Sequence, residues 1–199
     1  MCAIDLSYHN IVEQNFTKMH ITLPHTIESV NGERLTFLRT VIKDGIEYLE
    51  VENEVQPNAG PPMHVHHKQD ECITVVSGKI GYQELGGEKK YAGPGETILF
   101  KAGTAHKFWN AGDGPLIGKG YISPADNIVY FLSQIYKSSN ENGGRPGTYD
   151  AAYLLNRYKS EFSMLEIPGF VQKVIFPLVL FFGKLTGKNK KFNDAPPPL

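Results

Sequence analysis

At 199 residues, with 41% hydrophobic and 21% charged side chains, the chain can bury one sizeable core and does not have the composition of a disordered segment. A formal net charge of -1 excludes a surface built mainly to neutralise phosphates, so nucleic acid is not an expected partner. Two cysteines, Cys2 and Cys72, give neither a disulfide framework nor a C-x-x-C pair, and the start has no basic-then-apolar leader, so a cytoplasmic protein is expected.

Strand-like segments crowd the first two thirds of the chain. "RLTFLRTVI" and "IEYLEVENEVQP" flank the turn pair Asp44-Gly45, a hairpin signal. In the second segment Leu49, Val51, Asn53 and Val55 fall on one face and three glutamates on the other, as a half-buried antiparallel strand requires. "CITVVSG", "KIGYQEL" with the turn Gly86-Gly87, "ETILFKAG", "HKFWN" and "LIGKGYI" follow, each short and each closed by Gly, Asn or Pro. Short strands at this spacing predict a sandwich or barrel. After Pro124 the period changes: "ADNIVYFLSQIY" and "YDAAYLLNRYKSEF" carry apolar residues at helical spacing, joined by a polar, glycine-rich loop. The fold class expected is mainly β with C-terminal α-helices.

The stretch Gly60 to Gly78 holds His64, His66 and His67, three of the seven histidines in the chain. On an extended strand His64 and His66 present both imidazoles to one face, which makes half of a metal site, while His67 points away. The polar "KQD" reads as a turn, with Glu71 opening the next strand, so that the group straddles two neighbouring strands. A fourth candidate is His106, at the start of another strand after a glycine-rich turn. If it faces inward, Phe108 and Asn110 follow it, giving an apolar wall and a polar supporting group. From the residues alone, a metal site and a hydrogen-bonded polar cluster both stand open, and His67, Gln69 and Asp70 read as turn or rim residues.

These two stretches resemble the two signature motifs of the cupin superfamily, in the form found in compact single-domain bacterial members. The first is His64-x-His66-x4-Glu71-x6-Gly78, and the second is Gly95-x5-Lys101-x-Gly103-x2-His106-x3-Asn110, with a short segment, Lys79 to Pro94, between them. The usual proline of the second motif is Lys101 here, and the glycine that opens the first lies closer to its histidines, with Pro61-Pro62 between. The resemblance implies a jelly-roll β-barrel holding one divalent metal between His64, His66, Glu71 and His106. We expect an N-terminal extension over 1–33, the barrel over 34–124 and a helical extension over 125–199.

Three imidazoles and one oxygen donor suit Fe, Mn, Ni, Co, Cu or Zn, whereas calcium and magnesium prefer nearly all-oxygen sites. Glu71 has two readings: a ligand, or a catalytic general base whose pKa is raised by an apolar barrel. What the resemblance implies for function is a small-molecule metalloenzyme of dioxygenase type, acting on a substrate with adjacent oxygens. A non-catalytic small-molecule-binding module is the alternative. The C-terminal apolar run, Val174 to Phe182, is too short to span a bilayer. Packing on the barrel or on a homodimer partner is expected for it, with a membrane-interface anchor through residues 170–191 as the rival.

Overall fold

The structure is a computed structural model that describes residues 21–199. Residues 1–20, which include Cys2, His9, His20 and most of the expected N-terminal extension, lie outside the described residues. The strands are β1 His25–Ser29, β2 Glu33–Lys43, β3 Ile46–Val55, β4 His64–His66, β5 Asp70–Ser77, β6 Ile80–Glu84, β7 Lys90–Ala92, β8 Thr97–Phe100, β9 Ala105–Asn110 and β10 Leu116–Ser123. Helices α1 Ile128–Glu141 and α2 Thr148–Arg157 follow, then β11 Phe162–Met164 and helix α3 Phe176–Leu185.

The strands form two antiparallel sheets, a six-stranded one in the order β1-β2-β3-β10-β5-β8 and a five-stranded one in the order β11-β4-β9-β6-β7. Together they make a jelly-roll barrel with helices appended. The β2–β3 hairpin closes at Asp44 and Gly45, both at positive φ (53° and 77°), as a tight primed turn demands. Along β9, His106, Phe108 and Asn110 are buried while Ala105, Lys107 and Trp109 are less so. That is the alternation a half-buried strand requires.

One departure from the sequence reading has a physical cause. The second helical segment stops at Arg157, and Phe162 instead opens β11, which pairs antiparallel with β4 (Phe162 with His66, Met164 with His64). A strand as short as β4 would otherwise leave its outer N–H and C=O groups unpaired, and the returning chain covers them. Strand β7, beyond the Gly86-Gly87 turn in a stretch to which the sequence reading gave no element, pairs with β6 through Ala92, Tyr91 and Lys90.

Two apolar cores form on the inward face that β3 carries. Val55, Ile73, Val75, Ile80, Phe100 and Phe108 belong to the core of the barrel proper. Leu49, Phe37 and Ile122 join the faces of α1 and α2 in the second core. The C-terminal end is pinned over α2: Arg157 and Tyr158 donate to the carbonyl of Pro196, and the buried Glu161 carboxylate accepts from Asn127 and from the backbone N–H of Leu199. Between the cores, where Asn53 interrupts the aliphatic row of β3, lies a cavity of about 590 Å³.

Candidate metal centre

His64 and His66 come from β4 and His106 from β9, its neighbour, with His64 and His106 directly opposite each other in register. Glu71 lies on β5, paired with Phe100 of β8 and Ile122 of β10, and therefore belongs to the other sheet. The expectation of two neighbouring strands is corrected here: the carboxylate reaches the imidazoles across the barrel, because residues 67–69 carry the chain from one sheet to the other, and Asp70 already opens β5.

One donor atom from each of the four residues lies within 4.8 Å of every other, a set able to hold a metal ion. His64 Nε2 is 3.1 Å from His66 Nε2, and Glu71 Oε2 is 3.1 Å from His106 Nε2, 3.4 Å from His66 Nε2 and 3.9 Å from His64 Nε2. Ligands about 2.0–2.2 Å from a common ion stand about 3–3.5 Å apart at tetrahedral or cis angles, so the closer spacings are those of a coordination sphere.

Proton accounting points the same way. His64 Nδ1 donates to the carbonyl of Pro62 at 2.8 Å and His106 Nδ1 to that of Thr104 at 2.9 Å. A carbonyl only accepts, so each ring holds its proton on the outer nitrogen and, when neutral, turns the Nε2 lone pair inward. The His106 lone pair then faces a carboxylate oxygen, and that of His64 faces the His66 ring. Acceptors at these distances need positive charge between them. A single proton relieves one pair, whereas a divalent ion relieves all four donors together.

Burial lowers the pKa of His66 to about 3 against the opposing pull of Glu71, keeping this ring neutral and ligand-ready at ordinary pH. For Glu71, burial alone would raise the carboxyl, but hydrogen bonds from His106 and then His64, which form when those rings take up a second proton, outweigh it and hold the group well below the usual carboxylate range. The direction is opposite to the rise the apolar barrel led us to expect.

Aromatic rings fix the imidazoles. Phe100 stacks on His106 at 3.9 Å with planes 6° apart, and Phe162 meets His66 edge-on at 5.7 Å. The second contact is unforeseeable from motif spacing, since Phe162 arrives from beyond α2. Phe108 lines the cavity as its parity with His106 predicts. Asn110 does not support the imidazoles. Its amide donates to the carbonyls of Val55 and Gly114 and accepts from Gly112 N–H, which ties the loop ends together.

The flanking polar residues are structural. Asp70 accepts from Lys101 Nζ at 2.7 Å and from Ala102 N–H at 2.9 Å, so the lysine that replaces the usual proline of the motif clamps the loop after β8. His67 bonds Ser163. Gln69 is only 1% exposed and donates to Asp126, which corrects its reading as a rim residue.

His64, His66 and Glu71 line the cavity, whose walls are largely aliphatic and aromatic, among them Leu35, Val51, Ile73 and Phe131. Two of the polar residues in this lining stand out. Asn53 Oδ1 is buried without a partner, and a Cβ on Gly118 opposite would collide with it, so the glycine preserves the amide's space. The second is Glu33, hydrogen-bonded to Tyr136 of α1; burial pushes its carboxyl up to about 7, Tyr136 opposing and the Glu71 charge adding. Sequence reasoning passed over both members of this pair. The available signal was parity: Glu33 shares a face with Leu35 and Phe37, and Tyr136 continues the 128-132-135 stripe of α1.

A family model described as "Cupin domain" matches residues 51–117. Among curated proteins, the probable oxidoreductase virH of Hypocrea virens is 40% identical over 52 residues, covering 26% of this chain and 24% of that protein. The chain thus matches about a quarter of the relative's length. Among solved structures, KdgF from Halomonas sp. aligns at 21% identity over 53% of this chain and 93% of its own, with a TM-score of 0.42. A sugar phosphate isomerase from Silicibacter pomeroyi, described as from a cupin superfamily, aligns at 22% identity over 46% of this chain and 59% of its own, with a TM-score of 0.39.

Proposed function

We propose, from the premise that the chain belongs to the cupin superfamily through its domain at residues 51–117, that it is a metal-dependent oxidoreductase of dioxygenase type acting on a small, largely apolar molecule with adjacent oxygen atoms. The observation that carries this reading is the inward convergence of His64, His66, Glu71 and His106 at one end of an apolar cavity, with the protons of two rings committed outward. The four side chains act as the ligands. A redox-active divalent transition ion held by them would supply Lewis-acid and electron-transfer chemistry at this end of the cavity.

The remaining chemistry falls to the chain's own residues. Phe108, Val51 and Ile73 exclude water and hold the apolar body of the substrate. Asn53 Oδ1 accepts a hydrogen bond from a substrate hydroxyl, which gives that buried oxygen the partner it lacks. The Glu33–Tyr136 pair stands at the cavity wall as a proton store that exchanges near neutral pH. Glu71, held ionised, serves as ligand rather than base. The short match to a probable oxidoreductase agrees with redox chemistry.

The test is elemental analysis of protein purified without added metal, then oxygen uptake with substrates carrying vicinal oxygens. His66→Ala is expected to lose both the ion and turnover. Undiminished turnover by metal-free protein sinks the proposal. Saturable ligand binding by the metal-loaded protein with no oxygen consumed identifies a binding module instead.

A further inference from the structure

Helix α3 is apolar on two faces, and only one of them is packed. Phe176 is buried, Gly183 lies so close to the Tyr149 ring of α2 that a Cβ would collide with it, and beyond the helix Phe192 stacks on Tyr153 at 4.2 Å. These contacts anchor the segment to the protein. The opposite face of α3, continued back through the π-helical turn Val171–Ile175 that precedes it, carries Phe170, Val174, Leu178, Phe181, Phe182 and Leu185 at helical spacing, 42–69% exposed. A water-facing helix is polar on its outer side, and one apolar all round ordinarily has something covering it.

The charges around the stripe identify what covers it. Between residues 167 and 193 the sequence has five lysines, Lys173, Lys184, Lys188, Lys190 and Lys191, and no acidic residue, whereas the chain as a whole carries -1. Lys191 is paired with Asp150, while Lys173, Lys184, Lys188 and Lys190 are exposed. A second copy of this chain docking face to face would set one acid-free, lysine-bearing segment against its twin, with like charges opposed across the two-fold axis. An anionic lipid surface instead accepts the apolar stripe into its interfacial layer and the lysines among its head groups. No helix among the described residues is long and apolar enough to cross a membrane, so the helix lies in the plane of the surface.

The geometry points to an interfacial docking site for anionic membranes, made by the outer face of α3 and the lysines after it, seating the barrel on a bilayer. This does not depend on the metal reading. The test is co-sedimentation of the full chain with phosphatidylcholine vesicles and with vesicles containing about one third phosphatidylserine. The wild-type protein is expected to pellet with the anionic vesicles and be released by high salt. The double variant Phe181→Ser/Phe182→Ser, and separately Lys184→Glu/Lys188→Glu/Lys190→Glu, should each reduce the bound fraction at least tenfold while keeping the wild-type circular dichroism melt. Since the altered side chains are exposed, that melt reports whether folding is intact; should one variant melt early, the other carries the test. Wild-type protein left in the supernatant with both vesicle types overturns the proposal. So does size-exclusion chromatography showing a dimer that Phe181→Ser/Phe182→Ser dissociates, which would assign the face to self-association.

Discussion

Replacing Glu33 by Gln is expected to remove a pH dependence of stability that the wild-type chain carries between about pH 4.5 and 7. Burial raises the Glu33 carboxyl from 4.5 to about 7, so the folded protein holds this proton more tightly than the unfolded chain does. The sign follows from linkage: the contribution is whole below pH 4.5 and is lost as pH rises through 7. Each factor of ten is 1.36 kcal/mol, which gives an upper bound of about 3 kcal/mol. Solvent reaching the half-buried side chain screens this to about 1–2 kcal/mol. For a chain of this size each kcal/mol moves Tm by about 2–4 °C, so wild type should lose several degrees between pH 5 and 8 relative to Glu33→Gln. Gln keeps an acceptor for the Tyr136 hydroxyl and does not titrate, and other groups titrate equally in both proteins. Scanning calorimetry at half-unit pH steps measures the difference. Parallel Tm profiles for the two proteins would refute the buried, protonated Glu33 and with it the proton store at the cavity wall.

Three further outcomes follow from named contacts. A divalent ion present at 100 times its Kd should stabilise the wild-type protein by about 2.7 kcal/mol; calorimetry should find that rise absent in His66→Ala and reversed by a chelator. Asn53→Leu should raise stability by about 1 kcal/mol, because it removes a buried oxygen with no partner, yet weaken substrate binding about tenfold in a titration of the metal-loaded protein. Asn110→Ala, which loses three hydrogen bonds that join loop ends, should cost about 2–4 kcal/mol in denaturant unfolding while metal content per folded molecule stays unchanged.

Much of the centre was legible because strand parity is a local rule. His64 with His66, and His106 with Phe108, point together as any extended segment requires, and the burial along β9 follows the same period. Parity also places Asn53 on the inward face of β3, but whether its amide would meet backbone or empty space depended on Gly118 of a strand some 65 residues away. Asn110 shares the parity of His106 and yet serves the loops, since its distance along the barrel from the imidazoles is a matter of sheet register. Phe162 was read as the end of a helix because its apolar neighbours keep helical spacing. The unpaired edge of β4 overrode that preference.

Taken alone, the sequence determined the β-then-helix order, the hairpin at Asp44-Gly45 and the four candidate ligands, because turn chemistry, side-chain period and spacing are properties of a few neighbouring residues. Only the tertiary structure decided that Glu71 meets the imidazoles from the facing sheet, that Glu33 and Tyr136 share the cavity, and that one face of α3 is packed while the other meets solvent. Those outcomes depend on which surfaces the closed barrel leaves to be covered, and long-range pairing, which no local window contains, fixes that.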